Sequence, residues 1–306
     1  MIKKINFNHS LIFFNICIIL SSISYLKDNS LTIFCLFLIL TIGISHGALD
    51  NIKGKNLLKI FKINSIFVFY IGYILISLLI ILIWILFPKS LLLIFLFVAS
   101  YHFGKEDTQF LISKISYFDQ LLFFFKGSLI ILAPMFFHFD NTVSIFKLLL
   151  VDNEIFYSTL AFIEANKILP ILIILSTISG IYLFLNKFEI KKFTIFLDYF
   201  SILILNYYLS PLIAFTIYFC FLHSIRHSIS LINEIDNKDF ANGLKVFTKK
   251  ALLLIILTAI FCIIALYLLN NNYDFNNSIL KIIFIGLASL TFPHILLEYL
   301  IEKNEK

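Results

Sequence analysis

The feature that most constrains this chain is a succession of long apolar runs that contain no charged residue. Residues 66–87 and 252–269 form two of these runs. A helix needs about 20 apolar residues to cross the ~30 Å hydrocarbon layer of a bilayer. Only 14% of the 306 residues are charged and 60% are hydrophobic, whereas a soluble domain carries about 25% charged residues. The sequence therefore predicts an all-α, polytopic transmembrane helix bundle that forms a single domain over residues 1–306.

Breaks in the apolar pattern divide the chain into about ten predicted spans. Their approximate bounds are 10–26, 30–47, 63–87, 90–104, 117–138, 168–186, 193–209, 211–230, 247–270 and 278–301. The one long connection, at about 139–167, is expected to lie along the membrane interface. Basic residues concentrate in the loops on one side of the spans. By the positive-inside rule that side, with both termini, is cytoplasmic in the cell (inner) membrane.

Charge and cysteine usage exclude two other classes of function. The net charge of +6 resides in short loops between spans, so it predicts membrane topology and no nucleic-acid partner. The four cysteines lie singly inside apolar runs and form no CxxC motif. They are expected to be packing residues, and they predict neither a disulfide framework nor a thiolate metal site.

Histidines provide the main functional signal. The predicted topology places five of the seven at similar depth on the cytoplasmic half: His46, His102, His223, His227 and His294. His223 and His227 are four residues apart, so their rings leave one helix face and can share a metal ion. His9 and His138 fall elsewhere and are expected to be interfacial residues.

Two glycines are expected to bring the histidine-bearing helices close together. His46 precedes Gly47, and Gly104 follows His102 by two residues. Small residues allow membrane helices to approach closely, as two helices that carry ligands to one ion must do. Ionisable groups near the hydrocarbon zone are costly and are usually functional. A donor set of neutral imidazoles without thiolate suits Fe(II), Zn(II) or copper, and is unsuited to Mg²⁺ or Ca²⁺.

Carboxylates follow three of these histidines along the chain: Asp50 after His46, Asp107 after His102 and Glu298 after His294. Each could accept the second ring N–H of a ligand histidine and hold its orientation. They could equally be ordinary loop carboxylates. Arg226 lies between two of the histidines. It is interpreted either as a residue that sets topology or as a partner of Asp50 or Asp107.

Four sequence blocks together resemble the signature of a known family. They are SHGALD at 45–50, YHFGKED at 101–107, HSIRH at 223–227 and TFPHILLE at 291–298. In this order they resemble the Brp/Blh family of integral-membrane β-carotene 15,15'-dioxygenases, over nearly the whole chain. Two positions depart from the family pattern. Asn51 stands where a histidine is common, and Ile295 stands where a methionine is common.

The resemblance implies a single transmembrane catalytic domain that uses Fe(2+) and O2 to cleave β-carotene at its central double bond into two all-trans-retinal. It implies His46, His102, His223 and His227 as iron ligands. His294 is expected near the site with an open role, and Asp50 and Asp107 are expected beside it as catalytic-site residues. The implied partners are β-carotene, O2 and the lipid bilayer, with supply of retinal to a microbial rhodopsin.

Two other classes of membrane protein are also rich in histidine and remain alternatives. A di-iron-type lipid hydroxylase or desaturase resembles this chain in composition. That class uses about eight or more histidines with an HxxHH box, which does not occur here. A non-enzymatic metal-binding transporter would carry polar groups along a whole pore and broken helices at mid-membrane. Here the polar groups cluster at one depth, which favours a site over a path.

Overall fold

A computed structural model of the chain describes residues 2–22, 31–112, 116–186 and 188–304, which form helices and no β-strand. The end of the first predicted span, at 23–26, and residue 30 of the second lie outside these residues. The α-helices follow in chain order: α1 (Ile2–Ser21), α2 (Thr32–Leu38), α3 (Asp50–Ile60), α4 (Ile66–Leu86), α5 (Pro88–Glu106), α6 (Tyr117–Phe137), α7 (Phe139–Leu148), α8 (Glu154–Ala165), α9 (Ile168–Leu185), α10 (Thr194–Tyr208), α11 (Pro211–Ile217), α12 (Ile225–Ile235), α13 (Phe240–Leu269) and α14 (Phe275–Asn304).

Eight helical segments of the described chain are long and apolar enough to cross a membrane. They are Lys3–Ser21, Thr32–Ile60, Ile66–Leu86, Tyr117–Phe137, Ile168–Leu185, Pro211–Ile235, Phe240–Leu269 and Phe275–Asn304. The other two predicted spans, 90–104 and 193–209, are also helical, as α5 and α10. However, α10 has only 15 residues, and α5 is charged at both ends. The prediction of an all-α, polytopic helix bundle is confirmed.

The long connection at 139–167 contains two helices, α7 and α8. Its apolar side chains pack in one cluster with α4, α5 and α9; Phe146 and Phe156 are among its buried members. Two polar side chains fasten the connection to the bundle. The indole N–H of Trp84 donates to the carbonyl of Leu149 at 2.9 Å, and Lys281 on α14 donates to the carbonyl of Leu148.

The start of α6 shows how local sequence sets a helix boundary. The Ser116 hydroxyl accepts from the backbone N–H of Asp119, and the Asp119 carboxylate accepts in return from the backbone N–H of Ser116 at 2.8 Å. This reciprocal capping box satisfies donors that a helix start leaves free. The preceding helix, α5, begins at Pro88, where a missing N–H costs nothing because the first turn has no intrahelical acceptor.

The tightest helix contact joins α5 and α6. A Cβ added to Gly104 would lie 1.8 Å from the backbone oxygen of Phe123, and one added to Gly127 would lie 1.9 Å from that of Ser100. Only glycine permits this backbone-to-backbone contact. Gly104 therefore allows the predicted close helix approach, but with α6, which carries no histidine of the cluster. Glycine is not required at position 47, because a Cβ there would meet side chains only and nothing closer than 3.6 Å.

Candidate metal centre

Two of the membrane segments depart from regular α-helix where they approach the histidines. Within Thr32–Ile60, a π turn at Ile39–Gly43 is followed by a 3₁₀ turn at Ile44–Leu49, which carries His46. Within Pro211–Ile235, a π turn at Tyr218–Ser224 carries His223. Isolated π turns inside helices are uncommon and are often found at functional sites. Each changes the direction of the side chains that follow it.

The five histidines of the predicted site meet in one cluster. The ring centroid of His46 lies 5.3 Å from that of His294 and 5.7 Å from those of His223 and His227. His102 lies 5.5 Å from His223 and 5.7 Å from His294, and His227 lies 5.9 Å from His294. All are buried except His46, which is partly exposed. The structure therefore brings together residues that are up to 248 positions apart in sequence (294 minus 46).

Carboxylates at the end of α5 orient the two histidines of the α11–α12 segment. His223 Nδ1 lies 3.2 Å from an oxygen of Asp107, and His227 Nδ1 lies 2.9 Å from an oxygen of Glu106. The second oxygen of Asp107 accepts from the hydroxyl of Tyr218 at 2.6 Å. Two adjacent residues at the end of α5, Glu106 and Asp107, thus hold the rings of His227 and His223, which are four residues apart in the neighbouring segment.

The remaining oriented rings are held by α3 and by a backbone carbonyl. His294 Nδ1 lies 3.0 Å from both oxygens of Asp50, which also accepts from the hydroxyl of Tyr73 at 3.0 Å. His46 Nδ1 lies 2.5 Å from the carbonyl of Gly43, inside the π turn. Each partner is an oxygen acceptor, so in each ring Nδ1 is the nitrogen that carries the proton in the neutral state.

This arrangement passes a direct test of whether the residues fit a metal ion. When Nδ1–H is bound to an acceptor, Nε2 carries the lone pair that a metal needs. The Nε2 atoms of His227 and His294 are buried and have no hydrogen-bond partner. Buried nitrogens without a partner are costly and call for an explanation. A metal ion between the rings would satisfy them.

Asp50 and Asp107 each pair with a histidine of another segment, not with the histidine that precedes them in sequence. Asp50 binds His294 and not His46, and Asp107 binds His223 and not His102. Glu298 approaches Nε2 of His294, at 3.8 Å, while Nδ1 of that ring is bound to Asp50. Asp50 and Asp107 therefore each accept from a ring N–H of a cluster histidine, which is one of the two roles that the sequence left open for them. Glu298 does not, because the ring nitrogen that it faces is Nε2.

Arg226 forms an ion pair with Asp107 at 4.0 Å, as one of the two sequence interpretations predicted, and has a closer partner that neither interpretation included. Its guanidinium forms a two-pronged ion pair with Asp198 on α10, at 2.7 and 3.0 Å, and donates to the hydroxyl of Ser10 on α1 at 2.6 Å. A further N–H donates to the backbone carbonyl of Asp107 at 3.1 Å. The paired geometry satisfies a charge that would otherwise be costly to bury. Arg226 thereby ties α1 and α10 to the end of α5 that orients His223.

Sequence reasoning missed Glu106, Tyr218 and Tyr73 as parts of the site. Glu106 lies within the block YHFGKED, where two adjacent carboxylates at the end of an apolar span are a signal that could have identified it. The two tyrosines gave no signal, because 14 tyrosines are scattered through the chain. The two histidines that were not predicted to belong to the site lie outside the cluster. His9 forms a hydrogen bond with the carbonyl of Phe221 at 2.8 Å, and His138 ends α6.

Two cavities adjoin the cluster. The larger, of about 440 Å³, is a mostly apolar groove between α12, α13 and the π turn before His46, and its wall includes Ser45 and Ser228. These two serines are the immediate neighbours of His46 and His227 in sequence. The smaller, of about 280 Å³, is polar and includes His227, Glu106 and Arg226 in its lining. The polar cavity therefore reaches the cluster at His227, and the apolar groove reaches the sequence neighbours of His46 and His227.

The fold and the cluster together define a polytopic membrane protein with a buried centre of five histidines, oriented by carboxylates, whose donor set fits a metal ion. Residues 37–302 match the family described as beta-carotene 15,15'-dioxygenase, and the chain belongs to this family. The matched range contains the whole histidine cluster. Membership makes the chain a carotenoid-cleaving dioxygenase, so the transporter alternative is excluded.

A curated relative supports the same assignment. The chain is 27% identical over 268 residues to a beta-carotene 15,15'-dioxygenase from uncultured marine bacterium 66A03. The similarity covers 86% of this chain and 90% of the relative. No solved structure matches the chain.

Proposed function

We propose that this chain cleaves β-carotene at the central 15,15' double bond with O2 to give two molecules of all-trans-retinal. The cofactor is Fe(2+), and His46, His102, His223 and His227 hold it. The observation that carries the proposal is the cluster itself. Five imidazoles converge, four are oriented through Nδ1, and buried Nε2 atoms lack a partner. Family membership supplies the substrate class.

Bound ferrous iron would supply the activation of dioxygen, which histidine-ligated iron with open positions supports. The side chains of the protein do the orienting. Asp107 and Glu106 hold His223 and His227 through their Nδ1 atoms, so that both Nε2 atoms remain available to the ion. Asp50 does the same for His294, which lies beside the proposed ligands. Asp50 and Asp107 are positioning residues in this proposal, because each acts through a histidine.

Burial is the second contribution of the protein. His102, His223, His227 and His294 are each less than 10% exposed. A dry site strengthens the hydrogen bonds that orient the rings and protects reactive oxygen chemistry from water. The polar lining near His227 and Glu106 is confined to the small cavity, whereas the larger groove is mostly apolar.

The apolar groove is the proposed entrance for substrate. β-Carotene is a hydrocarbon without polar groups, so it dissolves in the bilayer and must enter between helices. The groove is lined by exposed or half-exposed apolar side chains of α13, including Leu252 and Ile255. It extends to Ser45 and Ser228, next to two proposed ligands. A polyene lying there would pass close to His46 and His227.

The proposed setting is the cell membrane, with both termini and the histidine cluster on the cytoplasmic side. Support comes from the concentration of basic residues in the loops on that side. Retinal formed in the membrane is the chromophore that a microbial rhodopsin requires. The proposed product is therefore supplied where such a partner would take it up.

The test is retinal production in cells engineered to accumulate β-carotene. The wild-type chain is expected to remove the carotenoid colour and to form two retinals for each β-carotene lost. His227→Ala should abolish both effects, because it removes a ring whose Nε2 faces the cluster. His138→Ala is the matched control and should behave as wild type, since His138 lies at the end of α6 outside the cluster. Absence of retinal from a well-expressed, iron-loaded protein would disprove the proposed reaction.

A further inference from the structure

Glu298 faces the ring nitrogens that are free to bind a metal ion, not the ring nitrogens that carry a proton. It follows His294 by one turn of α14, and its Oε1 atom lies 3.8 Å from Nε2 of His294 and 3.9 Å from Nε2 of His227. Both distances exceed those of hydrogen bonds. The two Nε2 atoms have no hydrogen-bond partner. A carboxylate thus faces two unpaired nitrogens across a gap.

The size of this gap fits an ion. Among the described residues, one possible ligand atom each from His227, His294 and Glu298 lie within 4.8 Å of one another. Ligand atoms about 2.1 Å from a common ion are separated by roughly 3–4 Å. Two imidazole nitrogens and one carboxylate oxygen are also a donor set that non-haem Fe(II) enzymes use, with positions left open for oxygen.

Lys53 explains how the carboxylate is kept in place. Its ammonium donates to Oε1 of Glu298 at 3.1 Å, and both side chains are mostly buried. Lys53 lies on α3, three residues after Asp50, which orients His294. A buried carboxylate without a cation would be costly. The lysine therefore stabilises Glu298 facing the histidines.

A plain salt bridge between α3 and α14 is the competing explanation, and the chain offers a comparison for it. Glu302, one turn further along α14, pairs with Lys105 of α5 and is about half exposed. No histidine nitrogen pairs with Glu302 in the described structure. Glu298 differs because the same oxygen that accepts from lysine also faces two imidazoles.

We propose that Glu298 and His294 are metal ligands together with His227, so that the ion is bound by a mixed set of imidazoles and one carboxylate. This inference rests on the metal-binding part of the proposed function, and not on the identity of the substrate. Lys53 is a positioning residue in it, since it touches the carboxylate and not the proposed ion.

The experiment measures metal binding directly. The full chain is purified in detergent, stripped with a chelator and titrated with Co²⁺ without oxygen, and both the affinity and the visible ligand-field spectrum are recorded. Glu298→Gln is expected to weaken binding by more than about 100-fold, the upper end of what loss of an orienting partner costs. Its spectrum should also change. Glu302→Gln should leave affinity and spectrum unchanged.

Lys53→Met separates the two explanations. If Glu298 is a ligand, Lys53→Met should keep the wild-type spectrum and should lose no more than the roughly 10–100-fold in Co²⁺ affinity that an orienting partner contributes. A structural salt bridge would be broken equally by Lys53→Met and Glu298→Gln, so equal effects of the two variants would overturn the proposal. Wild-type binding and spectrum in Glu298→Gln would overturn it as well.

Chemical rescue covers the case in which Glu298→Gln does not fold. Glu298→Ala leaves space for a small carboxylate, so added formate should restore both the affinity and the wild-type spectrum. Failure of formate to restore either in folded Glu298→Ala would count against a ligand role.

None of these readouts involves retinal. A chain that binds Co²⁺ through Glu298 but forms no retinal would refute the proposed reaction alone, whereas a wild-type chain that binds no metal would refute this inference.

Discussion

Two helix pairs beside the histidine cluster are packed differently. Helices α5 and α6 touch backbone to backbone at Gly104 and Gly127, whereas α12 and α13 approach closely only at Gly243 and diverge from there to leave a groove of about 440 Å³. The tight pair carries His102 and the two carboxylates that orient His223 and His227. The loose pair leaves apolar space beside Ser228. The histidine-orienting side of the cluster is therefore rigidly packed, while the side proposed to admit a substrate keeps open space.

The largest effect is expected from a substitution that forces α5 and α6 apart. In Gly104→Ala the new Cβ would meet the backbone oxygen of Phe123 at 1.8 Å, so one of the two helices must move. Overpacking of a core costs about 1–3 kcal/mol and occasionally more, and backbone cannot turn aside as a side chain does. We expect a loss of at least about 3 kcal/mol of stability, together with loss of bound iron. Thermal unfolding in detergent and iron analysis measure the two effects.

Gly72→Ala is the control for that substitution. Gly72 lies in α4, and a Cβ there would have nothing within 4 Å. Alanine in a helix interior is favoured over glycine by about 0.5–1 kcal/mol. This variant should therefore unfold at the same or a slightly higher temperature and should keep its iron. Equal behaviour of the two variants would show that the α5–α6 contact is not the rigid element.

An intermediate effect is expected from the orienting carboxylate at the end of the tight pair. Asp107→Asn keeps the shape of the side chain but removes the charge that accepts from His223 and Tyr218. Loss of such a partner costs roughly 10–100-fold in metal affinity. A titration of the stripped chain with Co²⁺ should show this loss. Asp152→Asn, at an exposed position, should not change the affinity; an unaltered Asp107→Asn would show that α5 does not orient the ligand.

The smallest effect on the histidine cluster is expected from a larger side chain in the groove between α12 and α13. Ile255 lines the groove, so Ile255→Trp should raise KM for β-carotene by about tenfold, the equivalent of about 1.4 kcal/mol of lost binding. Iron content should stay at the wild-type level. Leu253→Trp places the same side chain on an exposed face of α13 outside the groove and should leave KM unchanged. If both variants have the wild-type KM, the substrate enters elsewhere.

Helix positions and the grouping of histidines could be read from the sequence, and the pairing of side chains could not. Charge-free runs determine where helices form in a membrane, because every backbone group must be bonded within its own segment. Alternation of the spans also placed five histidines on one side. Pairs such as His223 with Asp107, 116 positions apart, depend on how helices rotate against each other. The periodicity of apolar residues in the sequence does not reveal how one helix is rotated against the next.

Irregular turns near His46 and His223 are a second reason why the side-chain pairs could not be predicted from spacing. Asp50 follows His46 by four residues, a spacing that would place both on one face of an α-helix. The 3₁₀ turn at Ile44–Leu49 breaks that face, and Asp50 opens α3 toward His294 instead. The sequence of these turns is as apolar as that of the neighbouring helices. The local sequence therefore does not distinguish these turns from regular α-helix. Packing against other helices decides where such a turn forms.

The bond between Asp50 and His294 joins residues 244 positions apart, and it has a consequence for the timing of assembly. A ribosome delivers the segment with His46 early, but α14 emerges only near the end of this sequence. Until then Asp50 has no ring to orient, and His46, His102 and His227 lack the neighbouring ring of His294. The complete five-histidine cluster therefore forms only after α14 has been inserted, so its assembly is a late event in the synthesis of this sequence.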